Sequence, residues 1–546
     1  MWWLMIVELA AALLCTLAAC RFYLHMLQLE SYQLDGYERW LKANRARALG
    51  WTFTCGLAAS VISLVFPVIL SLLFTGEIQR STVIAGLIAS AFAVGDSAVH
   101  VVADYKTRQK KPLVFTGRMK RLTAVLAVVC AAVEALLVLL FRRDQTADAG
   151  LMRLWIPPFA LIMLAPYLVW LAGYAAQPFE RAVNRKYFRM AQNKLAARRD
   201  LIKIGITGSY GKTTTKFCLQ AILSVKYNVL ASSSSVNTPM GLSKMINNDL
   251  KDAHQVLIAE MGARHVGDIR ELVQLVRPRY GLLTSVGPQH LETFGSIQNI
   301  ANTKFELIQG LPKNGCAFFA ADGGQVDRLY EKTKIERVRT GIGSDGLDAR
   351  AEDIEVGAFG SRFTLIFADG ESVRCETRLL GDHNISNIVL CAAAARKLGL
   401  TMDEIAEGIR RIEPVAHRLQ VIPGALTVID DAFNSNPVGA KCALDALKKF
   451  PGRHLIVTPG FVELGKDEAK FLYTFGTQIA EACDAAILIG PRHTAPIREG
   501  LLASGFAENA IRTVNTLDEA TALIRTFVGN GDVALFENDL PDNYTE

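Results

Sequence analysis

Five long apolar runs occupy the first 177 residues: Trp2 to Cys20, Trp51 to Phe74, Val83 to Val102, Leu122 to Phe141 and Trp155 to Ala175. Each approaches the roughly 20 residues that a helix needs to cross a hydrocarbon core. The sequence therefore predicts an α-helical membrane domain of about five transmembrane helices over residues 1–177. These runs hold most of the apolar excess of a 546-residue chain that is 51% hydrophobic and 21% charged, a balance that excludes disorder. The third run carries Asp96 and His100 one helical turn apart, which lipid tolerates only where they face partners or water. Two readings stay open: they lock the bundle by pairing with each other or with Glu8 or Glu134, or they serve transport or a substrate.

Loops rich in Lys and Arg tend to stay in the cytoplasm. The loop after the first run has Arg21, Arg39, Lys42, Arg45 and Arg47, and the one after the third has Lys106, Arg108, Lys110, Lys111, Arg118, Lys120 and Arg121. The loop after the second has Arg80 alone, and the one after the fourth Arg142, Arg143 and Arg153. This alternation puts the N-terminus outside the cytoplasmic membrane and everything after Ala175 in the cytoplasm. Leu17-Ala18-Ala19-Cys20 resembles a lipidation site, but Met1-Trp2-Trp3-Leu4 lacks the positive start of a signal peptide. Ten cysteines fall singly, without a Cys-x-x-Cys pair, which suits a reducing compartment rather than a disulfide scaffold or zinc site. The net charge of +6 gives no reason to invoke nucleic acid, because basic residues gather beside the apolar runs. Residues 178–200, with Arg181, Arg185, Lys186, Arg189, Lys194, Arg198 and Arg199, read as a basic juxtamembrane helix near anionic membrane lipids.

From Leu201 the pattern changes to short apolar runs between turns and helical stretches, as in a parallel α/β sheet. A strand from Leu201 to Ile206 leads into Thr207-Gly208-Ser209-Tyr210-Gly211-Lys212-Thr213-Thr214 and then a helix from about Thr214 to Val225. A glycine turn at a helix N-terminus aims N–H groups and a positive dipole end at phosphate; Lys212 adds a charge and Thr213 a magnesium ligand. The general P-loop pattern wants glycine where Ile206 stands, with glycines at 205 and 208 instead. Strands from Val256 to Met261 and Gly281 to Val286 end at Glu260 and just before His290. Ligands of open α/β sheets bind outside the carboxyl ends of strands, so P-loop, Glu260 and His290 should share one rim. Each of the two also has an ordinary reading, as a buried acceptor and a satisfied loop histidine.

In the helix expected over Ile297 to Leu311, Lys304 falls on the apolar face, where it either snorkels to solvent or is a functional amine. Asn384 and Asn387 start a helix expected from Val389 to Leu398 and either cap it or read a purine edge. Asp430 and Asp431 follow a strand from Leu426 to Ile429, at a further rim or in a plain Asx-turn. Strands from Leu455 to Thr458, Ala485 to Ile489 and Val533 to Phe536 complete a second, Rossmann-like unit. The reading is thus a central ATP-binding domain over 201–413 and a C-terminal domain over 414–546.

In order along the chain stand Val236-Asn237-Thr238-Pro239-Met240-Gly241, Ala259-Glu260-Met261-Gly262-Ala263, Gln289-His290-Leu291-Glu292-Thr293-Phe294-Gly295-Ser296 and Asn302-Thr303-Lys304-Phe305-Glu306. Gly381-Asp382-His383-Asn384-Ile385-Ser386-Asn387, His417-Arg418-Leu419 and Asp430-Asp431-Ala432-Phe433-Asn434-Ser435-Asn436-Pro437 follow. With the P-loop they make residues 201–546 resemble the Mur ligase family, most nearly its members that add D-alanyl-D-alanine. That resemblance implies an ATP-dependent ligase that activates a carboxylate as an acyl phosphate and joins it to the amine of an amino acid or dipeptide in cell-envelope synthesis. It implies ATP held at Thr207 to Thr214, with Lys212 on the phosphates and Thr213 and Glu260 on magnesium. His290 would help hold a second magnesium together with Lys304, carbamylated into an anion. Asn384 and Asn387 would face adenine, Arg418 the phosphates and Asp431 the ribose, with Asn237 and Thr238 in the substrate loop.

Two features depart from that pattern. Apolar helices stand where the family has a uridine-binding domain. The segments Pro459-Gly460-Phe461-Val462-Glu463-Leu464-Gly465 and Glu537-Asn538-Asp539-Leu540-Pro541-Asp542-Asn543-Tyr544 differ from its usual aspartate-containing and basic stretches. The acceptor is accordingly a muramoyl peptide, or else a lipid-linked or polyamino-acid chain. A membrane ATP sensor without ligase activity is the expectation of another class.

Overall fold

The structure, a computed structural model, describes residues 2–70, 72–73, 78–106, 112–141, 161–233, 236–343, 346–357, 360–433, 435–462 and 464–539. Phe74, Arg108, Lys110, Lys111, Arg142, Arg143, Arg153, Trp155, Asn434, Glu463 and residues 540–546 lie outside them, as do the side chains of Glu8 and Arg80. The chain forms two compact units, Met1–Val183 and Asn184–Leu540.

In the first unit the described parts of the apolar runs fall on helices Trp2–Leu29, Arg45–Leu70, Ile78–Lys106, Gly117–Phe141 and the part of Ala165–Ala197 up to Val183, with a short helix Leu34–Ala43 that the sequence reading missed. Ala12, Ala19, Ala59, Ala89 and Ala93 are fully buried, and small residues let helix backbones approach closely. Leu14, Leu72, Val99 and Val128 are each at least 66% exposed, so large apolar side chains cover the outside. Among the described residues, Leu9–Leu29 alone is long and apolar enough to cross a membrane, while Thr52–Ile62 and Leu87–Val102 are shorter apolar stretches. His100 Nδ1 lies 2.9 Å from the Asp96 carbonyl oxygen and 3.6 Å from its carboxylate, so these two pair with each other. Glu134 Oε1 is buried without a hydrogen-bond partner. Residues 178–200 do not form a separate helix: Ala165–Ala197 is continuous with Pro178 inside it. A proline in a helix interior removes one hydrogen bond and can bend the helix without ending it.

In the second unit, β1 (Ile202–Thr207), β2 (Val229–Ala231), β3 (Val256–Glu260), β4 (Tyr280–Leu283), β5 (Cys316–Ala320), β6 (Glu336–Ile342), β7 (Ala349–Gly357), β8 (Gly360–Phe367) and β9 (Ser372–Thr377) form one sheet. Its order is β2-β3-β1-β4-β5-β6-β7-β8-β9. β1 lies between β3 and β4, parallel to both, with Ile206 opposite Glu260 and Thr207 opposite Leu283. That register brings the P-loop, Glu260 and the turn after β4 to the same edge. Helices Lys212–Leu223, Asp382–Lys397 and Met402–Arg410 cover one face, and Pro239–Asp249, Asp268–Val276 and Ile297–Gln309 the other. Strands buried on both faces read as unbroken apolar runs, hence the burial of all five residues of β3. Thr401 opens the helix Met402–Arg410 with a full capping box to Glu404. Thr401→Ala should lower unfolding free energy by about 1 kcal/mol, measurable by chemical denaturation.

A second sheet contains β10 (Gln420–Ile422), β11 (Thr427–Asp431), β12 (His454–Thr458), β13 (Ala485–Ile489), β14 (Ile511–Val514) and β15 (Val533–Glu537). Its order is β10-β11-β15-β12-β13-β14, with β10 antiparallel and the rest parallel. Asp431 faces Glu537 across the β11 and β15 ends, so this sheet also collects acids at its carboxyl rim.

Candidate active site

Lys212 follows the left-handed Gly211 as the first residue of the P-loop helix. Its ammonium donates to the Gly208 and Ser209 carbonyl oxygens, both at 2.8 Å. Burial lowers its pKa to about 8, with Glu260 opposing and Arg418 reinforcing the fall. Two of the loop's N–H groups are taken up within the protein. The Ser209 N–H donates to the Ser285 carbonyl at 2.8 Å and the Tyr210 N–H to the Ser285 hydroxyl at 2.9 Å. The donors left for phosphate are those of the first helical turn, which have no partner one turn back. Thr207 donates to the Met261 carbonyl at 3.0 Å and Ser209 to the Gly287 carbonyl at 3.1 Å, so their hydroxyls brace the loop. Thr214 is buried in the same helix.

Gly208 has φ +154°, and a Cβ there would lie 2.0 Å from the Thr284 hydroxyl oxygen. Gly208→Ala should therefore displace the loop, destabilise the fold by about 1–3 kcal/mol and weaken ADP binding, as melting and nucleotide titration would report.

Glu260, 1% exposed at the end of β3, accepts from three side chains. Thr213 and Asn237 donate to Oε1, each at 3.2 Å, and Lys216 donates to Oε2 at 3.1 Å. Arg418 Nη2 donates to the Thr213 hydroxyl at 3.3 Å, and its guanidinium carbon lies 4.5 Å over the Phe433 ring. His417 and Leu419 on either side have φ +59° and +50°, a region costly for such residues, so the backbone is held in strain where it delivers Arg418. Asp431 accepts the Leu419 N–H at 3.0 Å, and burial raises its pKa to about 6.

Lys304 is 2% exposed, so it does not snorkel to solvent. The Phe294 ring lies 6.0 Å from its nitrogen, and burial, reinforced by the Lys212 charge, holds its pKa well below the lysine range. His290 has φ +52° and precedes the helix Leu291–Phe294, which ends on that same ring. The helix expected from Val389 begins earlier, at Asp382, behind Gly381, with no side-chain cap. Neither asparagine caps it: Asn384 donates to the Leu380 carbonyl at 2.8 Å, and the Asn387 amide packs 2.8 Å from where a Gly211 Cβ would stand. Thr238 caps the helix Pro239–Asp249. Asp430 accepts the Ala432 N–H at 3.1 Å, so the Asx-turn is present beside the rim.

Hydrogen bonds thus join Thr213, Glu260, Asn237, Lys216 and Arg418, with Asn387 against Gly211, Asp431 behind Arg418, Lys212 within electrostatic reach of Glu260 and Arg418, and Lys304 within electrostatic reach of Lys212. Lys216 was missed. The signal was its place one turn after Thr213 on the buried face of the helix. Among the described residues no three His, Cys, Asp or Glu side chains form a metal site on their own. A hydroxyl and a carboxylate 3.2 Å apart are nevertheless hard oxygen donors of the kind magnesium takes together with phosphate.

Fold and rim together define an ATP-using P-loop protein with a second, Rossmann-like domain. Residues 206–395 match the Mur ligase middle domain and 417–537 the Mur ligase glutamate ligase domain. The UDP-N-acetylmuramoyl-tripeptide–D-alanyl-D-alanine ligase of Mycobacterium bovis is 34% identical over 358 residues, 61% of this chain and 69% of the relative. The chain belongs to the Mur ligase family and is an ATP-dependent ligase. The same-named enzyme of Escherichia coli is 31% identical over 59% of this chain and 69% of its own. Two solved structures are 25% identical to this chain: MurF from Acinetobacter baumannii has TM-score 0.60, covering 66% of this chain and 78% of that one. The Thermotoga maritima MurF ligase in complex with ADP has TM-score 0.58, covering 65% and 80%.

Proposed function

We propose that this ligase joins D-alanyl-D-alanine to the peptide carboxylate of a muramoyl-tripeptide precursor at the cytoplasmic face of the membrane. The observation that carries the reading is the Arg418–Thr213–Glu260 chain of contacts, which ties the C-terminal domain to the P-loop. In this reading 1–177 is a membrane domain of about five helices, 178–200 a juxtamembrane segment beside anionic lipid, and 201–413 and 414–546 the two catalytic domains. The small-residue interior and exposed apolar exterior of the first unit support the membrane assignment.

Each residue has a role set by its chemistry. Lys212 meets the phosphates as a point charge, and Arg418, freed from Thr213, adds a second cation. Asn387 and the free carbonyl of Asn384 face the adenine, Asp431 the ribose, and Asn237 and Thr238 the substrate. Thr213 and Glu260 would hold one magnesium, and His290 and a carbamylated Lys304 a second. Such cations neutralise the charge that builds when a carboxylate attacks a γ-phosphoryl group. Burial, which disfavours the charged form of Lys304, supports the carbamate, because the neutral amine is the form that adds carbon dioxide.

The full chain in detergent, given ATP, magnesium, UDP-N-acetylmuramoyl-tripeptide and D-alanyl-D-alanine, should release ADP and yield a product heavier by one dipeptide residue in mass analysis. Turnover of neither this acceptor nor its lipid-linked form would overturn the proposal. A second reading, ligation onto a lipid-linked acceptor, is favoured by the helices that precede residue 206, outside both matched domains. It predicts turnover confined to the lipid-linked substrate.

A further inference from the structure

Lys216 has no part in the chemistry above, yet it is among the most deeply buried charged groups of the protein, at 0% exposure. Its ammonium donates to Glu260 Oε2 at 3.1 Å and to the Ser233 carbonyl at 3.2 Å, with the Phe217 ring 4.6 Å away. The two oxygens of Glu260 therefore have separate partners. Oε2 is held by a charge, whereas Oε1 takes only the neutral donors Thr213 and Asn237, each at 3.2 Å.

We infer that Lys216 is a positioning residue that locks Glu260 through Oε2, so that Oε1 stays turned towards Thr213 as the oxygen available to a divalent cation. This rests on the reading that Thr213 and Glu260 hold magnesium. A buried carboxylate without a counter-charge is unfavourable, and a mobile ion supplies that charge only while bound. Lys216 is a covalently tethered cation and supplies it in every step of the cycle, including after ADP and magnesium leave. Its second bond, to Ser233, fastens the strand end that leads to Asn237, so the substrate loop and the metal-facing carboxylate share one anchor. Lys212, four residues earlier, cannot do both jobs, because its ammonium is on the Gly208 and Ser209 carbonyls and must turn to phosphate.

The test is equilibrium binding of ADP to the full chain with and without magnesium, in the wild type, Lys216→Met, Glu260→Gln and the double variant. Magnesium should tighten ADP binding to the wild type, and Lys216→Met should cut that enhancement at least tenfold while changing magnesium-free affinity less than threefold. In the Glu260→Gln background, Lys216→Met should have no further effect on the enhancement, because the two act as a unit. The double variant leaves no lone buried charge, so it remains measurable if Lys216→Met alone fails to fold. An unchanged enhancement in Lys216→Met beside a reduced one in Glu260→Gln would overturn the inference and leave Lys216 a structural filler. Additive effects in the double variant would overturn it as well. Unchanged enhancement in Glu260→Gln would instead sink the magnesium reading itself.

Discussion

Lys304→Ala is expected to lower kcat about a thousandfold, the scale of losing a main transition-state charge stabiliser, with ADP affinity nearly unchanged. The side chain lies on the buried face of its helix with a phenyl ring beside its nitrogen. Among the described residues no carboxylate comes within ion-pair distance. The charges that act on Lys304 are the repelling Lys212 and, more weakly, the attracting Asp268. An amine so placed loses its proton more readily than an ordinary lysine, and the neutral form adds carbon dioxide by forming a nitrogen–carbon bond and releasing one proton to solvent. The resulting carbamate adds an anion to a rim where Glu260 already faces the cations Lys212, Lys216 and Arg418. Acetate or another short carboxylate should recover part of the rate in Lys304→Ala, where truncation leaves room. It should recover none in Lys304→Met, which fills the space. Steady-state ADP release with and without added acid measures both. Full activity of Lys304→Ala would overturn the carbamate role of Lys304.

The rim of the central domain was legible because its residues are fixed by local chemistry. A P-loop, an acid ending an apolar run and a lysine out of phase with its own helix each announce themselves within a few residues. What was not legible depends on distance along the chain. The antiparallel strands β7 to β9 extend the sheet beyond its parallel part, and their alternating burial carries no motif. Lys216 reads as one more helix lysine until β3 brings Glu260 alongside. Of the two readings open for Asn384 and Asn387, capping is excluded because the helix starts at Asp382, behind Gly381 with φ +85°, before either asparagine. The closed state of the P-loop depends on Ser285, 75 residues after Tyr210, and no P-loop pattern includes it.

That closed loop has a consequence for pH. In the nucleotide-free protein Lys212 has a pKa of about 8, so above that value it is largely neutral. Phosphate favours the ammonium and raises the pKa in the complex, hence binding takes up a proton once the pH exceeds 8. The dissociation constant for ADP should then rise by up to tenfold per pH unit between about pH 8 and the pKa of the complex. Stability of the free protein moves the opposite way. Its unfolded state, with the ordinary lysine value of 10.5, binds more protons than the native state from pH 8 to 10.5, so unfolding free energy rises with pH there. The slope from this one group is at most about 1.4 kcal/mol per pH unit. Calorimetry in buffers of different ionisation enthalpy would count the proton directly, and Lys212→Met should remove both slopes. An affinity that stays level from pH 8 to 9.5 in the wild type would mean that Lys212 leaves the Gly208 and Ser209 carbonyls already charged, and that its burial does not tune the site.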